Sequence, residues 1–307
     1  MEYVLQTKNL SKRYGKRLVL NKVNINIERG DIYGFVGENG SGKTTVIRLI
    51  SGLIFADGGD FELFGVKSNS SEILNARKKI GAIVESPSIY KNMSASDNLR
   101  MQSKILGCND DGKILQVLRD VGLEYLYTDK KHAGDFSLGM RQRLGIAMAL
   151  LGDPEFLILD EPMNGLDPTG IVEIRELIQR LNREKGITFL ISSHILTELS
   201  LVANKYGIIS KGRIIKEITT EQLSNECRKS ITVRTDSDRV GDVLSILSLA
   251  NDYEVDNAEV RIYGEVDLNS LFKAIIDSGI SILGIVTRDA SIENYYLSLT
   301  RGGFEND

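Results

Sequence analysis

This chain of 307 residues has only two cysteines, Cys108 and Cys227, far apart and in unlike contexts. That excludes a disulfide framework and any cysteine-based metal site, and both are expected to be reduced thiols. Positive charge is not in excess: Lys plus Arg is 38, Asp plus Glu is 42, and the net charge is −4. A general nucleic-acid footprint would show as a basic surplus, so no nucleic-acid partner is expected. No run approaches the ~18 apolar residues of a membrane-spanning helix. The opening MEYVLQTKNLSKRYGK lacks the basic-then-apolar order of a secretory signal. A role at a membrane therefore calls for another chain to supply the span. Low-complexity tracts, long linkers and internal repeats are missing too. The remaining composition, 42% hydrophobic and 26% charged, is that of a globular protein long enough for one large domain or two.

The hydrophobic pattern predicts alternating strands and helices. Val23, Ile25 and Ile27 alternate with polar residues as one half-buried strand, Arg29-Gly30-Asp31 reads as a turn, and IYGFV as a buried strand. Val46, Ile47, Leu49, Ile50 and Leu53 follow helical spacing, with Gly52 and the DGGD at 57–60 ending that helix. KIGAIVES at 79–86, EFLILDE at 155–161 and GITFLISSH read as further strands, and KYGIISKGRII as a hairpin. Residues 88–150 read as mostly helical. Ile171, Ile174, Ile178 and Leu181 share one helical face. Together these predict an α/β domain with a largely parallel sheet over 1–224. The order β-α-β-β-α-β and a last helix over 225–307 predicts a small ferredoxin-like α+β domain.

Between IYGFV and VIRLI stands GENGSGKTT: Gly37, Glu38, Asn39, Gly40, Ser41, Gly42, Lys43, Thr44 and Thr45. It fits G-x-x-x-x-G-K-[ST], a phosphate-loop pattern. Backbone amides that turn inward around an oxyanion need close approach and positive φ, hence glycine. The next helix aims its positive end at the phosphates, Lys43 supplies a charge, and the Thr44 hydroxyl suits Mg²⁺. Asp160 and Glu161 end an apolar strand, where open α/β sheets collect ligands. Either they close the strand and start a turn at Pro162, or the first supports Mg²⁺ and the second polarises an attacking water. His194, ending LISS, is either a structural histidine or a γ-phosphate contact.

In order along the chain come Tyr14, GENGSGKTT, FSLGMRQRLGIAMAL, LILDEP, NGLDP and SSH. Over residues 1–220 this set resembles the nucleotide-binding subunits of ABC transporters. The resemblance implies a P-loop domain with a helical subdomain, paired head to tail with a similar ATPase as a homodimer or heterodimer around two ATP molecules. It implies that Tyr14 stacks on adenine, that Gly37–Thr45 hold phosphates and Mg²⁺, and that Asp160 supports the metal. Glu161 would be the general base and His194 the γ-phosphate sensor. Ser137 and Gly139 would reach the ATP of the opposite subunit, and Asp167 would tie the two sites together. Tyr14 as a surface aromatic and SLG as an ordinary loop are the plainer alternatives. Two departures stand out. Leu138 and Met140 replace the commoner glycine and glutamine, and Glu85 stands where most members carry glutamine, at the position linking metal and water to the membrane partner. Both departures resemble the branch of bacitracin and lantibiotic exporters. The resemblance thus implies a peripheral ATPase on the cytoplasmic face of the membrane, powering a separate permease. Exporters of other drugs, lipids or ions, and a soluble translation factor, are the alternatives.

Overall fold

The computed structural model describes residues 2–107, 110–235, 253–256, 259–263, 273, 277, 282–288 and 291–302. Cys108 lies outside them. The chain divides into two compact units, Met1–Thr220 and Glu221–Asp307, a few residues before Ser224.

In chain order the first unit contains β1 (Tyr3–Tyr14), β2 (Arg17–Val23), β3 (Asn26–Glu28), β4 (Ile32–Val36), α1 (Lys43–Ile50), β5 (Gly58–Leu63), β6 (Val66–Lys67), α2 (Ile73–Arg77) and β7 (Ile80–Ile83). Then follow α3 (Ala95–Ile105), α4 (Asp111–Asp120), α5 (Leu138–Leu150), β8 (Phe156–Asp160), α6 (Pro168–Lys185), β9 (Thr188–Ser193), α7 (Leu196–Ser200), β10 (Lys205–Ser210) and β11 (Arg213–Thr219). The six-stranded sheet runs β11-β10-β4-β9-β8-β7. Every pair from β10 to β7 is parallel, and β11 closes one edge antiparallel. β4, β8 and β9 are buried at every residue, as their unbroken apolar runs require in a parallel sheet.

A second, antiparallel sheet runs β2-β1-β5-β6, with β3 also paired to β1. α1 lies in one hydrophobic cluster with both sheets. Val46, Ile47, Leu49 and Ile50 join Leu5, Leu10, Leu20 and Phe61 from one sheet and Phe35, Phe156 and Ile158 from the other. Each such side chain contributes about 1.5–3 kcal/mol on burial, so the helix carrying the phosphate-loop lysine is held from both sides.

The structure departs from the sequence reading in four places. The run from Val23 to Ile27 is not one strand: it breaks at Asn24–Ile25, where the Thr7 hydroxyl accepts from Ile25 N–H at 2.8 Å and donates to Val23 O at 3.0 Å. α1 stops at Ile50, so Leu53 lies beyond it and is 62% exposed. Gly52, at φ 78°, follows the helix end, but the DGGD stretch leads into β5 rather than ending a helix. β7 is shorter than the expected 79–86, because the backbone turns at Glu85.

At the amino ends of the parallel strands, Arg29 pairs with Glu2 at 2.9 Å and Glu155 at 2.8 Å, and Lys79 pairs with Glu155 at 2.9 Å. The boundary helix α8 spans Thr220–Glu226. The second unit has β12 (Ser230–Thr235), β13 (Tyr253–Asp256), β14 (Glu259–Tyr263), β15 (Ile282–Arg288) and α9 (Ile292–Gly302). Its sheet runs β13-β14-β12-β15, all antiparallel. That is the strand order of a split β-α-β, ferredoxin-like arrangement. Of the two helices expected between its strands, 240–247 lies outside the described residues. Only Lys273 and Asp277 of the other are described, both helical.

Candidate active site

The carboxyl ends of β4, β9 and β8, three neighbouring strands, bring the candidate residues to one rim of the sheet. β4 delivers the phosphate loop and α1. Gly40 has φ 80° and Gly42, the residue capping α1, has φ 114°. A Cβ on Gly42 would meet Leu20 Cδ2 at 2.5 Å, and one on Gly37 would meet Ile209 O at the same distance. No side chain caps the first turn of α1 and no acid stands in it, so its N–H groups face outward as an anion site.

Lys43 is 5% exposed. Its Nζ donates to Gly37 O at 2.5 Å and Glu38 O at 3.3 Å, and lies 3.2 Å from Glu161 Oε1. Thr44 Oγ1 donates to Asp160 Oδ2 at 2.9 Å. Ser192, on β9, donates to Asp160 Oδ1 at 2.6 Å and accepts from Glu161 N–H at 2.9 Å. Glu161 adopts φ 50°, a left-handed conformation costly for a residue with a Cβ. The turn carries its carboxylate between Lys43 and His194, whose Nδ1 lies 2.9 Å from Glu161 Oε2.

A cleft of about 270 Å³ opens here, lined by Arg17, Val19, Glu161 and the loop residues Glu38–Gly40 and Gly42–Thr45. Ser41 Oγ and Glu161 Oε1 are buried in this region without a hydrogen bond. Arg17 and Val19 were not singled out in the sequence, nor was Ser192; the pair of serines, Ser192 and Ser193, at the end of a fully buried strand is the one signal that marks it.

Not every predicted residue joins the cleft. Tyr14 ends β1, is 45% exposed and carries Lys12 Nζ 5.7 Å from its ring centre, outside the lining. Ser137 caps α5, accepting from Met140 N–H at 3.2 Å, and the nearest atom to a Cβ on Gly139 is Leu166 Cδ2 at 3.9 Å. Asp167 caps α6 by accepting from Gly170 N–H at 2.8 Å. Glu85 pairs with Arg48 instead of with any of the other candidates. Among the described residues there is no cluster of three or more His, Cys, Asp or Glu side chains able to hold a metal ion unaided. A Mg²⁺ bound by one or two carboxylates together with substrate phosphates needs no such cluster, and the paired Thr44 and Asp160 fit that donor set.

Comparison with known proteins gives the family. The family profile described as ABC transporter matches residues 20–164. The chain is 42% identical to the bacitracin transport ATP-binding protein BcrA of Bacillus licheniformis, over 99% of each chain. It is 45% identical to the lantibiotic transport ATP-binding protein SrtF of Streptococcus pyogenes, over 70% of this chain and 90% of that one. The solved structure of cbiO1 from Clostridium perfringens, part of the ABC transporter complex cbiONQ, superposes with a TM-score of 0.65 at 27% identity, covering 73% of this chain and 91% of that one.

Proposed function

This chain belongs to the ATP-hydrolysing nucleotide-binding subunits of ABC transporters, and from that premise we propose that it powers a separate membrane permease exporting a peptide antibiotic of the bacitracin or lantibiotic kind. The observation that carries the substrate class is the likeness to a bacitracin transport ATP-binding protein over 99% of both chains.

The triphosphate enters the cradle of Gly37–Thr45, where Lys43 is already turned inward over the loop carbonyls. Tyr14, beside the turn of the β1–β2 hairpin and paired in register with Arg17, stacks on the adenine. Glu161 takes the proton of a water that attacks the γ-phosphorus as the bond to ADP breaks. Its strained turn and its contacts to Lys43 and His194 hold the carboxylate at that place. His194 then contacts the γ-phosphate. Thr44 and Asp160 would hold a Mg²⁺ ion, which would supply positive charge to the phosphates, while Glu85 is paired with Arg48. The exposed amino end of α5, with Ser137 and Gly139, serves the site of a second ATPase subunit, and Asp167 links the two sites.

No described helix is long and apolar enough to cross a membrane, which suits a subunit seated on the cytoplasmic face beneath its permease. A groove of about 600 Å³, lined among others by Leu53, Ile83, Pro87, Leu106 and Met148, suits an apolar segment of that partner. The test is to purify the chain from membranes, identify the accompanying chain, and delete the pair in its host. Sensitivity should rise to peptide antibiotics and stay level for unrelated drugs. A chain that sediments with ribosomes, or a deletion that leaves peptide-antibiotic sensitivity unchanged, would sink this reading.

A further inference from the structure

Glu85 is held in an unusual way. It sits at φ 65°, and Ser86 N–H donates to Val84 O across it at 2.8 Å. A three-residue turn closed this way at positive φ is the rare, strained form. A second bond of the same span follows at once, from Ile89 N–H to Pro87 O at 2.9 Å. Val84, Ser86, Pro87 and Ser88, the neighbours of Glu85, line the large groove. The Glu85 carboxylate points the other way along the chain of contacts, to the guanidinium of Arg48. Arg48 stands in the last turn of α1, whose first turn carries Lys43 and Thr44.

We propose that Arg48 is a positioning residue: its ion pair with Glu85 latches a strained turn, tying the phosphate-loop helix to the loop that lines the groove. The proposal rests on the reading of the cleft as the ATP site. Both partners are partly exposed, at 37% and 62%. An exposed pair is weak, no larger than the strain stored in one left-handed residue, so on this proposal the turn would be poised between a latched and a released arrangement rather than locked in one. Two arrangements of near-equal energy are what a coupling element needs, because both ends can bias them. The pair also gives a reason for a glutamate at this position. Glutamine could accept a hydrogen bond from Arg48 but would bring no charge to hold the turn.

The test uses the full-length chain with Mg²⁺ and a non-hydrolysable ATP analogue. Hydrogen exchange is followed over 84–89 while analogue affinity is measured by titration. In the wild type, the analogue should change exchange in this segment by about fivefold or more. Arg48→Gln should bind the analogue within about fivefold of wild type, the ceiling for an exposed pair, yet lose the change in exchange. Arg48→Lys should keep it. Glu85→Gln should reproduce the effect of Arg48→Gln, and the double variant should add nothing further. An Arg48→Gln variant with a wild-type exchange response overturns the latch. So does one whose response is lost only because the analogue no longer binds, since Arg48 would then merely support α1. A wild type that fails to bind the analogue overturns the ATP-site reading itself, and the latch with it.

Discussion

At the cleft, one side chain is proposed to take the reacting proton and another supports it. Glu161 is placed by a left-handed turn and by contacts to Lys43 and His194, so its carboxylate is fixed while its backbone is strained. Glu161→Gln preserves size and most contacts but cannot take a proton. Single-turnover assays should show hydrolysis slowed about a hundredfold or more, with ATP still bound and a dimer accumulating on a sizing column. Unchanged turnover would remove Glu161 from the role of base. Ser192 is a quieter participant. It donates to the buried Asp160 and accepts from Glu161 N–H, so Ser192→Ala leaves two groups short of a partner at once. Urea denaturation should show a loss of about 1–3 kcal/mol. Phosphate-loop spacing made Gly37–Thr45 legible from sequence, and the paired acids at a strand end made Asp160 and Glu161 legible. Ser192, Arg17, Val19 and Arg48 were not, because each matters through a neighbour distant in sequence, and no local period marks such a pairing.

Among elements, buried parallel strands were the readable ones, since both faces of the sheet are covered and the strands become apolar runs. The antiparallel sheet was not. β1 carries register shifts between Leu10 and Lys12 and again between Lys12 and Arg13, which break the alternation that betrays a strand. β5 begins with paired glycines that read as a stop signal for the helix before it. Helix starts are a stronger signal. α6 opens on Asp167 and Pro168, an acid cap followed by a residue preset for the first turn. Asp167→Ala should cost about 1 kcal/mol in thermal or urea unfolding, and Asp167→Asn, which can still accept from Gly170 N–H, should cost much less. Dimer formation with ATP, measured on both variants, separates the cap from the proposed link between sites. Equal dimer loss in Asn and Ala variants points to the charge, and loss in Ala alone points to the cap.

At the scale of the molecule, every residue placed at the cleft belongs to the first unit. The boundary helix α8 buries Leu223, and a cut after it leaves the helix whole. A chain ending at residue 228 should fold and bind a fluorescent ATP analogue within about threefold of the full chain, because independent units keep their own cores. Failure to bind, with the unit folded by circular dichroism, would give the second unit a direct part in nucleotide capture.

The shared direction of β4, β9 and β8 has one practical result. Reactive groups crowd the carboxyl rim, while the amino rim carries surface ion pairs, among them Arg29 with Glu2 and Glu155 and Lys79 with Glu155, and the exposed Gly186. That far rim is where a dye, a tether to a surface or a fused reporter can be attached so that turnover is watched without being disturbed.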